Sequence, residues 1–315
     1  MPITLRPWRA PDDLPPIACI WNSATWAPVS AAILAKREAE PFPAAGLRER
    51  LVATDAAGRV LAFGWVERRG FEAPGAFFLR VQVNPEWRRR GIGTALLQAL
   101  EAFGQAHGGT DFEARLLDGE PGWLAFAEGH GYMAEGHHLA SRLDVTTFDP
   151  VPFAGVIPRL TAEGIRFHSM AEEHSLGLEQ SLYELEVAAN HDEPGFEDAR
   201  FPPFADWRRS TFGERPLDCI IVAAEGERAV GMHVMSFIGE SSDLHVDFTG
   251  VRRGYRGRGI ALAVKVIAIA TARRHGASLI RTGSDSRNTP MLAINRNLGF
   301  VPEPGAGMYR CFKRL

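Results

Sequence analysis

The 315-residue chain carries a formal charge of -3 and is 45% hydrophobic, a composition suited to a folded protein with room for two ordinary domains. So even a charge balance excludes a general nucleic-acid or membrane-surface binder, and any anion site must be local. Cys19, Cys219 and Cys311 lie far apart with no CxxC or CxxH spacing. That pattern argues against a metal centre or disulfide framework and for reduced thiols in a cytoplasmic protein. The opening MPITLRPWRA lacks the apolar core of a signal peptide, and no apolar run is long enough to span a bilayer.

In chain order, Ile3 to Arg9 alternates apolar and polar residues and predicts a strand. Leu14 to Ala24 follows as a helix with Asp12 and Asp13 at its start. LVATDAAGRVLAFGWV reads as a hairpin turning at Asp55 to Gly58. Ala76 to Val83 is the next strand, followed by a glycine-rich loop, a long helix, a strand, a shorter helix and closing strands. Pro150 to Arg159 is proline-rich and marks a boundary. The same order then recurs: strand Ile165 to Met170, helix Leu176 to Ala189, a hairpin turning at Glu225 to Glu227, strand Leu244 to Val251, loop and long helix. The expected class is α/β with mixed sheets flanked by helices, in two domains, 1–150 and 160–315.

The recurrence keeps register. WRRRGIGTALLQALEAFGQAHG (Trp87 to Gly108) resembles YRGRGIALAVKVIAIATARRHG (Tyr255 to Gly276). An offset of 168 residues relates Trp87 to Tyr255, Gly108 to Gly276, and Gly131 to Gly299. A shift held that long marks a duplicated domain.

Both loops stand between a strand end and a helix start. Backbone N–H groups there have no partner within the helix, and the dipole favours an anion. Glycine lets the backbone approach a bulky ligand, and arginine adds charge-assisted hydrogen bonds. Neither loop has the GxxxxGK of a P-loop, and Gly91 to Leu96 lacks the last glycine of a dinucleotide fingerprint. Both fit Arg-x-x-Gly-x-Gly/Ala, as Arg88-x-x-Gly91-x-Gly93 and Arg256-x-x-Gly259-x-Ala261.

On these loops, their helices and the segment from Asn288 through Asn295 to Gly299-Phe300, the sequence resembles the GCN5-related N-acetyltransferase (GNAT) family in both halves. The resemblance implies two tandem domains that grip the pyrophosphate of coenzyme A, with acetyl-CoA as cofactor. Coenzyme contacts would fall at Val83, Arg88, Arg89, Arg90, Gly91, Gly93 and Thr94 in the first half. In the second they would fall at Val251, Arg256, Gly257, Arg258, Gly259, Ile260, Ala261 and Asn288; Asn288 also suits a helix cap.

The strand before the loop should face the thioester, and the halves differ there. LHVDFTGV carries His245 and Asp247, whereas FFLRVQVN offers only Arg80, a poor base. Asp247 is therefore the expected general base of a catalytic second half; pairing with an arginine is its structural alternative. His245 is the fallback, with an ordinary pKa of about 6.5. Where many members of the family place an acidic tyrosine this chain has Asn295, which donates a hydrogen bond but no proton. Glu184, Asp192 and Glu193 form an acidic acceptor region suited to a cationic small-molecule amine. Trp8, Trp21, Trp26, Phe42 and Trp65 suggest an aromatic core or an apolar cavity in the first half. The expected protein is a monomer or homodimer with no nucleic-acid or membrane partner. The alternatives are a ligand-binding module without catalysis, in particular a non-catalytic first half, and acetylation of a peptide N-terminus.

Overall fold

The computed structural model describes residues 2–25, 27–197, 199–213 and 215–315, with Pro121 described by its backbone alone; Trp26 lies outside the described residues. In chain order the elements are β1 (Thr4–Pro7), α1 (Leu14–Asn22), α2 (Ala31–Ala39), β2 (Leu47–Thr54), β3 (Val60–Arg68), β4 (Ala76–Val83), α3 (Ile92–Ala106), β5 (Asp111–Leu117), α4 (Pro121–Glu128) and β6 (Met133–Asp144). Next come α5 (Val156–Ala162), β7 (Ile165–Ser169), α6 (Leu176–His191), α7 (Phe204–Phe212), β8 (Ile220–Glu225), β9 (Arg228–Phe237), β10 (Leu244–Val251), α8 (Ile260–Arg274), β11 (Leu279–Asp285), α9 (Thr289–Asn297), β12 (Val301–Pro302) and β13 (Met308–Arg314).

Two compact units divide the chain differently from the repeat. The first comprises residues 1–137 and 304–315, the second residues 138–303. Within the first, β1, β2, β3 and β4 are antiparallel neighbours. β4 then runs parallel to β5, and β13 pairs antiparallel along all of β5, from Met308 opposite Leu117 to Arg314 opposite Asp111. The first unit thus takes its closing strand from the far end of the sequence. The closing strands expected to complete each half are exchanged, because strand pairing follows the ladder and not chain order. Within the second unit β7, β8, β9 and β10 are antiparallel, β10 runs parallel to β11, and β11 pairs with the later part of β6, Asp144 opposite Leu279 and His138 opposite Asp285.

The helices follow their apolar faces. On α3, Ile92, Leu96, Leu97 and Leu100 recur at helical spacing and are buried. Gly64 on β3 lets this helix close in, since a Cβ there would meet the Arg80 carbonyl at 2.6 Å and Leu100 at 2.8 Å. Glu101 of α3 is buried against the Tyr132 hydroxyl at 2.9 Å and the Lys313 ammonium at 2.8 Å. On α8, Ile260, Ala263, Val264, Ala268 and Ile269 form the equivalent buried face. Trp8, Trp21 and Trp65 pack with Phe63, Leu14 and Ile17 between β3 and α1, and Phe42 lies under Arg48 at 4.3 Å. Three of the five aromatics singled out above are therefore core. The proline-rich boundary became a helix, α5, because Pro158 sits within its first turn, where a missing N–H costs nothing. Among the described residues no helix is long and apolar enough to cross a membrane.

Candidate functional site

In the first unit, the chain leaves β4 at Val83 and turns into α3 through two residues of positive φ, Arg89 at 62° and Gly91 at 80°. The first intrahelical bond runs from the Ala95 N–H to the Gly91 carbonyl at 3.0 Å. The N–H groups of Ile92, Gly93 and Thr94 precede that ladder and face outward. Arg88 donates from Nε to the Val83 carbonyl at 3.3 Å, tying the loop to the strand end; its guanidinium lies over Trp123 at 5.5 Å. Arg90 lies over Trp87 at 4.6 Å. Arg89 and Arg90 make no ion pair among the described residues. The Thr94 hydroxyl lies 3.2 Å from Nε2 of His130, whose Nδ1–H donates to the Phe126 carbonyl at 2.7 Å, and this joins α4 to the first turn of α3.

Beside this loop β4 and β5 part. Their last ladder pair is Leu79 with Ala114. A cavity of about 370 Å³ lies along the split, lined by Val81 and Val83 of β4, Leu116 and Leu117 of β5, Trp123 and Phe126 of α4, and the loop residues Arg88, Arg89, Gly91, Gly93 and Thr94. That volume falls in the range of small-molecule sites, about 300–1,000 Å³. Arg80, Gln82 and Arg115 reach it as well. Its described lining contains no aspartate, glutamate or histidine. Tyr132 forms part of the wall, but burial and the Glu101 carboxylate push its hydroxyl far above the ordinary tyrosine range, so it holds its proton.

The second unit repeats the geometry with different occupants. Gly257 and Gly259 have φ of 77° and 92°, and Arg256 donates from Nε to the Val251 carbonyl at 3.0 Å. The arginine shared by both loops therefore fastens strand to loop, a role the sequence reading missed by seeing only its charge. The remaining charge is spent inside the unit. Asp192 pairs with Arg253 and, at 2.6 Å, with Arg256. Glu163 of α5 pairs with Arg258 at 2.9 Å. Arg159, also of α5, would lie 3.2 Å from a Cβ placed on Gly259. Val251 and Ile260 are buried in the core, and Ala261 packs against it.

Asp247 is the extra residue of a bulge in β10, between Val246 and Phe248. It accepts from Arg215 at 2.8 Å and Ser236 at 3.0 Å, with His245 Nδ1 at 3.1 Å. Asp247, Thr249, Asn288 and Glu193 line a cavity of about 70 Å³, well below the usual ligand-site range. Asn288 caps α9 by accepting from the Met291 N–H at 3.3 Å. Asn295 is buried in α9 with no described partner for its Oδ1, and it does not line that cavity. Glu184 sits 3.5 Å from Arg252 with its side chain largely exposed, and Asp192 is engaged by Arg253 and Arg256. The loop arginines need counter-charges, and these carboxylates supply them. Lys265, which also lines this cavity, is 2% exposed, and burial pushes its ammonium down to about 7. Carboxylate, thiol and imidazole atoms of Asp218, Cys219 and His275 lie within 4.8 Å of one another; burial pushes the Cys219 thiol up to about 11, so it is protonated in this arrangement.

Both units thus lead from a parallel strand pair through a left-handed turn into a helix N-terminus. The sequence agrees: residues 21–132 and 180–300 match the acetyltransferase (GNAT) family, and the chain belongs to that family. It is an acyltransferase of tandem architecture. Its fold is similar to a tandem GNAT protein from the clavulanic acid biosynthesis pathway, with TM-score 0.76 and 20% identity over 99% of this chain and 98% of that one. A GCN5-related N-acetyltransferase from Sphaerobacter thermophilus gives TM-score 0.73 and 20% identity, covering 99% and 95%. A glucosamine N-acetyltransferase region of a fungal multi-domain β-N-acetylglucosaminidase gives TM-score 0.75 and 16% identity, covering 99% of this chain and 38% of that one. At these identities the likeness concerns the fold alone. No curated protein matches the sequence.

Proposed function

We propose that this protein transfers an acetyl group from acetyl-CoA to the primary amine of a small molecule, and that the first unit holds the coenzyme. The observation that carries this reading is the cavity of about 370 Å³ along the β4–β5 split, continuous with a loop whose Arg89 and Arg90 have no ion pair among the described residues. The Ile92, Gly93 and Thr94 N–H groups and the loop arginines would receive the pyrophosphate, and the pantetheine arm would fill the split. The amine nitrogen attacks the thioester carbonyl carbon. As the tetrahedral intermediate collapses, the C–S bond breaks, a C–N bond remains, and coenzyme A leaves as the thiolate. With neither carboxylate nor imidazole on the described wall, the amine's proton passes to water. Positioning, not a protein base, would supply the rate.

This reading moves catalysis to the opposite half from the sequence expectation, which put coenzyme contacts in both halves and the reaction in the second. What supports the change is the internal pairing of the second loop by Asp192, Glu163 and Arg159. Calorimetry with acetyl-CoA tests it. One equivalent should bind per chain, Gly91→Glu should abolish binding, and Gly259→Glu should retain it. The reverse pattern sinks the assignment.

A second reading rests on the bulge at Asp247 and its neighbours Asn288 and Thr249: the second unit catalyses once its loop is vacated. Loss of turnover in Asp247→Asn together with loss of coenzyme binding in Gly259→Glu would select it.

A further inference from the structure

Arg80 follows Leu79, the last residue of β4 paired with β5, and so stands where the split opens. Arg80 is among the residues lining the cavity beside the proposed coenzyme loop. Its guanidinium lies 4.4 Å from the ring centroid of Trp21 and 5.4 Å from that of Trp65. Those rings are fixed by stacking, Trp21 on Trp65 at 5.6 Å and Phe63 on Trp65 at 5.9 Å. Gln82 reaches the same cavity and fixes the helix that carries Trp21, donating to the carbonyls of Ile20 and Trp21.

Arg80 has no carboxylate partner among the described residues. The charges that act on it are cations, Arg37 of α2 and Arg115 of β5. Arg115 is itself satisfied by Glu113 at 2.8 Å. Burial first, and those two cations second, bring the Arg80 guanidinium down to about 10. Its charge is thus held against both desolvation and repulsion, which a fold tolerates when something else supplies the anion. Ring faces on a guanidinium leave its edge free, and that edge matches a carboxylate with two parallel hydrogen bonds. In the second unit an arginine beside the corresponding strand does have a carboxylate partner: Arg215 donates to Asp247 of β10.

We propose that Arg80 receives a carboxylate of the acceptor, so that the substrates are small amines bearing a carboxylate group. This rests on the first unit's being the acetylating one. It also reverses the charge logic of the sequence, which looked to acidic residues to attract a cationic amine.

The test pairs amines that differ in the anion: β-alanine with n-propylamine, 4-aminobutyrate with n-butylamine, and O-phosphoethanolamine with ethanolamine. Acetyl-CoA binding is measured first on the same preparation; its absence defeats the coenzyme reading and leaves the acceptor to be judged by direct titration. With acetyl-CoA, β-alanine and 4-aminobutyrate should each show at least a tenfold higher kcat/KM than the matching alkylamine, carried by KM, with the phosphate pair as the control for a general anion site. Without turnover, the carboxylate member should be the tighter ligand by tryptophan fluorescence, through Trp21 and Trp65. Arg80→Met should bring the pairs to parity, and Arg80→Lys, which keeps the charge and stem, should retain part of the preference. A fall in both members alike would mean a merely structural role. Equal use of both members by the wild type, a preference that survives Arg80→Met, or one confined to O-phosphoethanolamine overturns the proposal.

Discussion

Nη2 of Arg159 donates to the carbonyl oxygen of Arg258 at 2.6 Å. This one bond lays α5 across the turn that, in the first unit, stands open. Glu163, one helical turn on, bonds Arg159 at 2.6 Å and Arg258 at 2.9 Å, and Asp192 covers Arg253 and Arg256. Two carboxylates, Glu163 and Asp192, thus satisfy the loop's charge, while Arg159 fastens α5 to its backbone.

If that closure is what separates the two loops, removing it should show a second site. The double variant Arg159→Ala, Asp192→Ala should raise the stoichiometry of acetyl-CoA binding from one to two per chain by calorimetry. A count of one in both proteins would mean that the second loop serves the fold alone.

The pH dependence of turnover should lack an enzyme base. With no carboxylate or imidazole on the described wall of the first unit's cavity, kcat/KM should rise about tenfold per pH unit up to the ordinary pKa of the amine used. It should move with that pKa across a series of amines. A plateau near pH 6.5 that is independent of the amine would point instead to an imidazole.

Lys265 links stability to pH. Its ammonium is lowered from the ordinary lysine value to about 7 in the folded chain by burial. Between that pH and about 10.4 the unfolded chain binds the extra proton, so stability from this residue rises with pH through that window. Below it both states are charged and the cost is constant. Lys265→Met should therefore stabilise the protein at pH 7, by an amount bounded at about 5 kcal/mol from the full shift, and much less at pH 10. Equal gains at the two pH values, read from denaturant unfolding, would contradict the buried charge.

Glu113 joins β5 to the exchanged strand. Burial would raise its carboxyl, but Arg115 and Arg310 outweigh that and hold it below the usual range. Arg310 on β13 is 8% exposed and donates to Glu113 at 3.1 Å. Glu113→Ala removes the carboxylate of this buried pair and should cost up to about 3–5 kcal/mol, the range for breaking a buried pair, whereas Glu113→Gln should cost less. Chemical denaturation of the two variants measures the difference.

Much of the framework was legible. β4 and β10 fall on the residues read as strands ahead of the glycine loops, because a central strand beside a glycine turn leaves a local signature. The glycines of positive φ were legible for the same reason: Gly91 and Gly259 answer a local backbone demand. What stayed hidden depends on distant residues. Asp192 looked like an exposed acid because Arg253 and Arg256, its partners, lie some sixty residues on. A cluster of arginines in a chain of net charge -3 was the available clue that counter-charges had to come from somewhere. Arg80 was set aside as a poor base, which is sound acid–base chemistry but leaves out binding. Nothing in the pattern of β6 or β13 says which sheet each will join, since alternation encodes a face and not a neighbour.

That last point bears on how the molecule comes into being. The ribosome finishes β5 and then makes nearly two hundred residues before it reaches the strand that covers β5's open edge. Through that interval the first unit's edge waits unpaired, and Phe112 and Ala114 lack the Cys311 side of their core. The two units are therefore bound by an order of assembly, with the second able to gather its strands before the first can close. The β4–β5 cavity, walled on one side by β5, is among the last features of the chain to become whole.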